Sequence, residues 1–349
     1  MSESEIYMQR CLDLAQLAHG NTAPNPMVGA VIVHDGIIIG EGYHRCCGEA
    51  HAEVNAINSV EDQTLLKEST LYVSLEPCSH FGKTPPCADF IIARQIPKVI
   101  IGCSDTSSKV AGKGIERLKQ AGCTVITGVL ENECRKMNKR FFTFNEKKRP
   151  YIILKWAQTL DGFIDIERIS PEQKGAWITN DISKITVHKW RSQEQAIMIG
   201  TNTALLDNPK LTTRLWQGKD PLRITLDQNL ELPLTLNLFD HSVNTLVFTE
   251  IEKEMEINLQ YKTIKFDKQL ISNILKELYS IDIQSVIVEG GEQLLNSFIH
   301  QNLWDEARVF TGNTIFTNGT SAPKIEGAIQ SEEQLEDTFL RIYKNDKIK

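Results

Sequence analysis

The chain has no run of about 18 apolar residues, the length a membrane-spanning helix requires, so no span is expected. Its first twenty residues, MSESEIYMQRCLDLAQLAHG, lack a basic segment followed by an apolar one. That excludes a secretory signal in this stretch and makes the cytoplasm the expected compartment. A basic excess is missing too. The 38 Lys and Arg are outnumbered by 45 Asp and Glu, for a net charge of −7, which argues against a nucleic-acid partner and leaves room for a local basic pocket sized for one phosphate. No strand-like segment runs into G-x-G-x-x-G, so a Rossmann dinucleotide site is not indicated. There is no repeat of 20–50 residues and no low-complexity tract. Cysteine is absent beyond residue 134 and tryptophan before residue 156.

These last two absences divide the chain. All eight cysteines fall in one part and all five tryptophans in the other, and 349 residues suit two domains of ordinary size. The expected domains are 1–145 and 150–349, joined at the basic, proline-containing stretch 145–150. Hydrophobic periodicity predicts a helix over 5–19 and strands over 28–34 and 37–42 about the turn pair Asp35-Gly36. Helices over 51–58, 88–95 and 114–121 then alternate with strands over 70–75, 98–102 and 124–127. The second part reads as strand 151–157, helix 182–192, strands 196–200, 222–226 and 245–248, helix 269–280, strand 285–289, helix 293–301 and strand 308–311. Both halves are therefore expected to be α/β, with helices covering a sheet.

The cysteines are expected as thiols or metal ligands rather than disulfides. His51-Ala52-Glu53 opens a helix, Glu76-Pro77-Cys78 follows, and Cys87 opens another helix after Pro85-Pro86. A lone His or buried Cys is usually structural. Here a His-x-Glu, a Pro-Cys and a second Cys occur in order within one domain. A catalytic zinc site needs three protein ligands and an open position, which one imidazole and two thiolates supply. His51, Cys78 and Cys87 are the expected ligands of Zn2+, and zinc brings the pKa of bound water towards 7. A helix N-terminus favours the thiolate of Cys87. Glu53 is the expected catalytic proton shuttle, a pattern known for zinc nucleobase deaminases. The two cysteines are separated by eight residues instead of two, and that insertion, Ser79-His80-Phe81-Gly82-Lys83-Thr84-Pro85-Pro86, is distinctive in itself.

With Thr22-Ala23-Pro24-Asn25-Pro26-Met27-Val28-Gly29 upstream, this segment resembles the deaminase domain of the bifunctional riboflavin-biosynthesis deaminase/reductase family. The second half is similar to that family's reductase domain through Lys155-Trp156-Ala157-Gln158-Thr159-Leu160-Asp161-Gly162, through Trp177-Ile178-Thr179, and through Thr203, Asp207, Asn208-Pro209, Leu211, Thr212 and Arg214. The resemblance spans essentially the whole chain. It implies a cytidine-deaminase-like three-layer α/β/α domain followed by a dihydrofolate-reductase-like α/β domain, with Zn2+ and NADPH as cofactors. It further implies hydrolytic deamination of a phosphoribosylated diaminopyrimidinone, then reduction of the product's ribosyl group to ribityl, in a homodimer or homotetramer.

By the same resemblance, Asn25, His44 and Lys83 help hold the first substrate. Ala157, Trp177, Thr179, Thr203, Asp207, Gln228 and the run Gly291, Glu292, Gln293, Leu294, Leu295, Asn296 and Ser297 lie along NADPH. Arg191, Leu211, Arg214 and Glu289 face the second substrate, the arginines because a guanidinium fork suits a phosphate. Val288-Glu289-Gly290-Gly291 reads as a strand entering a Gly-Gly turn and a helix, where backbone N–H groups can meet an anion. One departure stands out: the family often has Ser two residues before the Trp of W-I-T, and this chain has Gly175, after a segment, 163–174, that is longer and more charged than usual. No side chain of this half is an evident proton donor. The competing expectations are a deaminase with a degenerate reductase half, a nucleic-acid base deaminase, and a structural zinc domain, which lacks a fourth protein ligand.

Overall fold

A computed structural model describes residues 1–79, 85–107, 112–168, 173 and 175–347. Lys83 lies outside them. The chain divides into two compact units, Met1–Lys148 and Arg149–Lys349.

In the first unit, α1 (Glu3–Gln16) precedes β1 (Gly29–His34), β2 (Ile37–Tyr43), α2 (Ala52–Asn58), β3 (Thr70–Leu75), α3 (Cys87–Ala93), β4 (Lys98–Cys103), α4 (Lys113–Gln120), β5 (Thr124–Thr127), α5 (Glu131–Met137) and α6 (Lys139–Lys147). The sheet order is β2-β1-β3-β4-β5. β1 is antiparallel to both its neighbours, and β3, β4 and β5 run parallel. Alternation along the strands builds two cores, because successive side chains point to opposite faces. Ile32, Val73 and Ile101 pack with Ala56 of α2, Ile91 of α3 and Leu118 of α4. Val31, Tyr72 and Ile100 pack on the other face with Met8 and Leu12 of α1, Cys134 of α5 and Phe142 of α6. The result is three layers, helices on both faces of one sheet. α1 starts at a capping box: Ser2 Oγ accepts from the Glu5 N–H, and the Glu5 carboxylate accepts from the Ser2 N–H at 2.7 Å. α6 extends into the stretch expected as the joint and ends at Lys147, before Lys148 with its φ of 54°.

The second unit contains β6 (Tyr151–Gln158), β7 (Phe163–Asp165), α7 (Asp181–Gln193), β8 (Ala196–Ile199), α8 (Thr201–Asp207), β9 (Leu222–Leu226), β10 (Thr245–Thr249), β11 (Leu259–Thr263), α9 (Leu270–Ser280), β12 (Ser285–Val288), α10 (Glu292–His300), β13 (Glu306–Thr311), β14 (Thr320–Ser321), β15 (Ala328–Leu335) and β16 (Thr338–Lys344). Its nine-stranded sheet runs β11-β10-β9-β8-β12-β6-β13-β16-β15. All pairs from β11 to β13 are parallel, and the last two are antiparallel. The central strands read as continuous apolar runs, Tyr-Ile-Ile-Leu in β6 and Val-Ile-Val in β12, since helices cover both faces there. β8 and β12 are neighbours, so the starts of α8 and α10 stand side by side at the carboxyl end of the sheet, where ligands bind in parallel α/β sheets.

Candidate active sites

The first site is built on the start of α2. Gly42 of β2 faces α2 so closely that a Cβ there would lie 2.3 Å from the Ala56 nitrogen. Glycine thus lets the helix settle on the strand and brings its N-terminus towards the end of β3. His51 is the N-cap residue with extended backbone, φ −73° and ψ 167°. That break from helical geometry is why side chains two apart in sequence, His51 and Glu53, share one cavity. Cys78 follows β3, and Cys87 is the first residue of α3.

The ligand atoms of His51, Cys78 and Cys87 all lie within 4.8 Å of one another. His51 Nδ1 is 3.2 Å from Cys87 Sγ and 3.6 Å from Cys78 Sγ, and the Cys87 N–H donates to Cys78 Sγ at 3.3 Å. One imidazole and two thiol groups converging on one point, with no fourth among the described residues, fit a zinc ion with an open position. Cys78 is held as a thiolate, its pKa brought down to about 4, chiefly because Cys87 donates to it and His51 lies beside it. The same pairing pushes the Cys87 thiol up. Glu53 is 3 % exposed. Burial, then the neighbouring Cys78, pushes its carboxyl up to about 7, the range in which one group can both take and return a proton at neutral pH.

His44 and His51 meet edge to face with ring centroids 5.2 Å apart. His44 Nδ1 lies 3.1 Å from the Ala50 carbonyl, so it donates there, and Nε2 is left to accept from Asn25 Nδ2 at 3.1 Å. Burial lowers the His44 pKa, and His51 adds to this. A neutral His44 and a fixed Asn25 therefore line the cavity beside the metal ligands. Asn55 of α2 fastens this wall by donating to the carbonyls of Tyr43 and Ala50.

The second site is a charged cluster at the end of β12. Arg191 of α7 grips Glu289 with both ends of its fork, Nε to Oε1 at 3.0 Å and NH2 to Oε2 at 2.7 Å. Its remaining NH1 donates to the Thr212 carbonyl at 3.3 Å. Lys155 Nζ stands 3.7 Å from the same carboxylate. Burial alone would raise the Glu289 pKa, but Arg191 and Lys155 outweigh it and hold the carboxyl at about 2. Burial lowers the Lys155 pKa despite Glu289. His188, one turn before Arg191, is depressed to about 4 by burial, then by Arg191 and Arg214.

Several residues expected from the sequence thus have prior commitments. The Arg191 fork, reserved in sequence for a phosphate, is engaged by Glu289, whereas Arg214 is exposed. The Leu211 side chain is buried in the core with Ile199 and Val247, and its backbone has φ 55°. Leu294 and Leu295 also point into the core, beside Phe298, so of the run 291–297 the helix start is what stands open. Thr203 Oγ1 accepts from the Gly291 N–H at 2.8 Å, which ties α8 to α10. A Cβ on Gly291 would crowd that hydroxyl at 3.1 Å, so the turn forms a cradle suited to an anionic cofactor group. Ala157 and Thr179 are half-buried, and Gln228 is exposed with its amide on Glu250 at 3.0 Å. Trp177 is 73 % exposed, with Lys184 Nζ 4.1 Å above its ring.

Sequence reasoning missed Arg168. Its guanidinium reaches Asp165, the Leu206 carbonyl and Asp207, the last at 2.6 Å. It also lies over Gly175, where a Cβ would come within 2.4 Å of NH2. Glycine at 175 is the departure noted above, and the arginine occupies the space a serine side chain would take. The charged composition of 163–174 was the one available signal.

Family models match both units. Residues 1–103 match the cytidine and deoxycytidylate deaminase zinc-binding region, and 150–346 match the RibD C-terminal domain. The chain is thus a zinc-dependent deaminase joined to an NADPH-dependent reductase. Riboflavin biosynthesis protein RibD of Aquifex aeolicus is 41% identical over 90% of this chain and 88% of that protein, and that of Bacillus amyloliquefaciens 38% over 92% and 87%. Among solved structures, a diaminohydroxyphosphoribosylaminopyrimidine deaminase/5-amino-6-(5-phosphoribosylamino)uracil reductase from Thermotoga maritima is 36% identical, with TM-score 0.88 over 98% of each chain. The chain belongs to the RibD family, enzymes of riboflavin biosynthesis.

Proposed function

We propose that the first unit removes the ring amine of a 2,5-diamino-6-(5-phosphoribosylamino)pyrimidin-4-one and the second reduces the ribosyl chain of the resulting 5-amino-6-(5-phosphoribosylamino)uracil to ribityl. The observation that carries the first step is a buried carboxyl, Glu53, poised near neutrality beside a His/Cys/Cys cluster. When bound, zinc supplies the Lewis acidity that lets a water lose its proton near neutral pH. Glu53 takes that proton as the oxygen adds to the ring carbon and returns it to the departing amine, which leaves as ammonia. Asn25 and His44 orient the ring, with Lys83 assigned to the phosphate by the family resemblance.

In the second unit NADPH supplies the hydride. The protein's part is to hold two molecules in register. The α10 start and Thr203 serve the cofactor, and exposed Arg214 serves the substrate phosphate. Arg191 and Glu289 form the wall behind it. The eight thiols, all free, fit a reducing cytoplasm. Strand β15 exposes nearly every residue at a free sheet edge, which suits pairing with a second copy, a state that light scattering on the purified protein would measure. The decisive assay supplies the diaminopyrimidinone and follows ammonia release and NADPH consumption together. Ammonia without NADPH oxidation, from folded protein, overturns the second assignment.

A further inference from the structure

Glu76, the first residue of Glu-Pro-Cys, is 4 % exposed and carries no part of the chemistry described so far. Its carboxylate accepts four backbone N–H groups from one segment. Oε2 takes those of Asp105 at 3.2 Å and Gly112 at 3.1 Å; Oε1 takes those of Gly114 at 3.0 Å and Ile115 at 3.3 Å. Two of the four donors belong to the first turn of α4, whose dipole favours a negative charge there. Gly114 lies against the ligand turn itself, since a Cβ on it would come within 2.0 Å of the Pro77 carbonyl oxygen. Further along, Arg117 of α4 is paired with Asp89 of α3. α3 begins with Cys87, and its Ala88 N–H donates to the Cys78 carbonyl at 3.1 Å.

A closed circuit results, running from Cys78 through α3, the Asp89–Arg117 pair, α4 and Glu76 back to the Pro77-Cys78 turn. We propose that Glu76 is a positioning residue for the deamination, its carboxylate locking α4 to the turn that presents Cys78 and so fixing the spacing of the two cysteine ligands. The proposal rests on the deaminase reading of this site. Only an acceptor-only group with two oxygens can serve four donors. A carboxamide would turn an NH2 onto two of them, whereas aspartate keeps the charge one methylene shorter.

The test compares Glu76→Gln and Glu76→Asp in the full-length protein. In the Gln variant, amide hydrogen exchange over 112–115 quickens and the deamination kcat falls, each on the order of tenfold or more. The visible absorption of the cobalt-substituted protein shifts with them. NADPH oxidation on the deaminated product stays at the parent rate, which certifies the rest of the chain. The Asp variant recovers most of both losses. Deamination within twofold of the parent and an unchanged cobalt spectrum in the Gln variant would overturn the proposal. So would an Asp variant no better than Gln, including one that equally fails to take up metal. Exchange and cobalt absorption do not depend on turnover, so a parent protein that released no ammonia would count against the deaminase reading alone.

Discussion

The two sites use buried charge in opposite ways. At His51, Cys78, Cys87 and Glu53, burial and the neighbouring Cys78 push the Glu53 carboxyl up to about 7, while the Cys87 donor and His51 bring Cys78 down to about 4. At Lys155, Arg191 and Glu289, the charges satisfy one another, and the carboxyl sinks to about 2. A site that moves protons keeps a group near neutrality. A site that positions a hydride donor and an acceptor needs rigid walls, and a paired cluster provides them.

The sharpest way to break this contrast is Glu53→Gln. General acid–base groups contribute roughly 10²- to 10⁴-fold, so ammonia release should fall by about that factor with zinc content unchanged. NADPH oxidation on the deaminated product should not move. Removing the metal with a chelator should give the same split, and a parallel loss of both activities would show that the sites are not chemically separate.

Glu289→Ala attacks the other side of the comparison. It leaves Arg191 and Lys155 buried beside each other without their carboxylate, and breaking a buried pair in this way costs about 3–5 kcal/mol. The second unit should then melt at clearly lower temperature, measured by calorimetry, while the transition of the first unit stays in place. A cost below about 1 kcal/mol, the range of exposed pairs, would mean that the cluster is solvated rather than a wall.

pH sharpens the same point with a smaller effect. Glu289 titrates lower in the folded state than in the unfolded one, so its contribution is present above the ordinary Glu pKa of 4.5 and is lost as pH falls towards about 2. His188 is also depressed, from 6.5 to about 4. The unfolded chain binds its proton first as pH falls, so stability is lost between those values. Both act in one direction, and the second unit should lose up to about 1.4 kcal/mol per pH unit for each group across its window. His188→Gln should flatten the limb between pH 6.5 and 4 in denaturant titrations and leave the lower limb intact.

The fold class was legible because both halves alternate helix-period and strand-period patterns between clear breaks. The central strands were found within a residue or two at each end. Several elements escaped. α5 and α6 follow a strand with few turn residues to announce them, and α8 is seven residues long. The β15–β16 hairpin is legible only through its partner β13, because Ala-Ile-Gln-Ser-Glu-Glu-Gln-Leu has no buried face to impose an alternation. Zinc and the proton shuttle followed from a motif whose residues are fixed by chemistry, whereas NADPH and the two specific reactions followed from the family resemblance. Motif matching says less about where a side chain points. Leu294, Leu295 and Leu211 stand in cofactor and substrate motifs, yet their side chains fill the core, since a helix or turn in a motif offers its ligand one face or its backbone. Glu76 and Arg168 were missed for a related reason: the four backbone donors to Glu76, and Leu206 and Asp207 beside Arg168, lie 29 to 39 residues away in sequence.

Arg168 allows the finest test of the contrast, because it is a largely buried charge whose acidic partner Asp207 reaches the surface. Its side chain is 10% exposed and bridges Asp165 to Asp207, the latter at 44%. An ion pair with one exposed partner is worth about 0.2–1 kcal/mol, so Arg168→Ala should raise the KM for NADPH by roughly two- to fivefold with little change in kcat or in deamination. Arg168→Ala with Gly175→Ser separates the two things the arginine does. If it acts by filling the space over residue 175, the serine restores the parent KM. If it acts by holding Asp207, the serine restores nothing, and Asp207→Asn alone reproduces the defect. Steady-state kinetics with varied NADPH on the three proteins distinguishes packing from charge around Gly175.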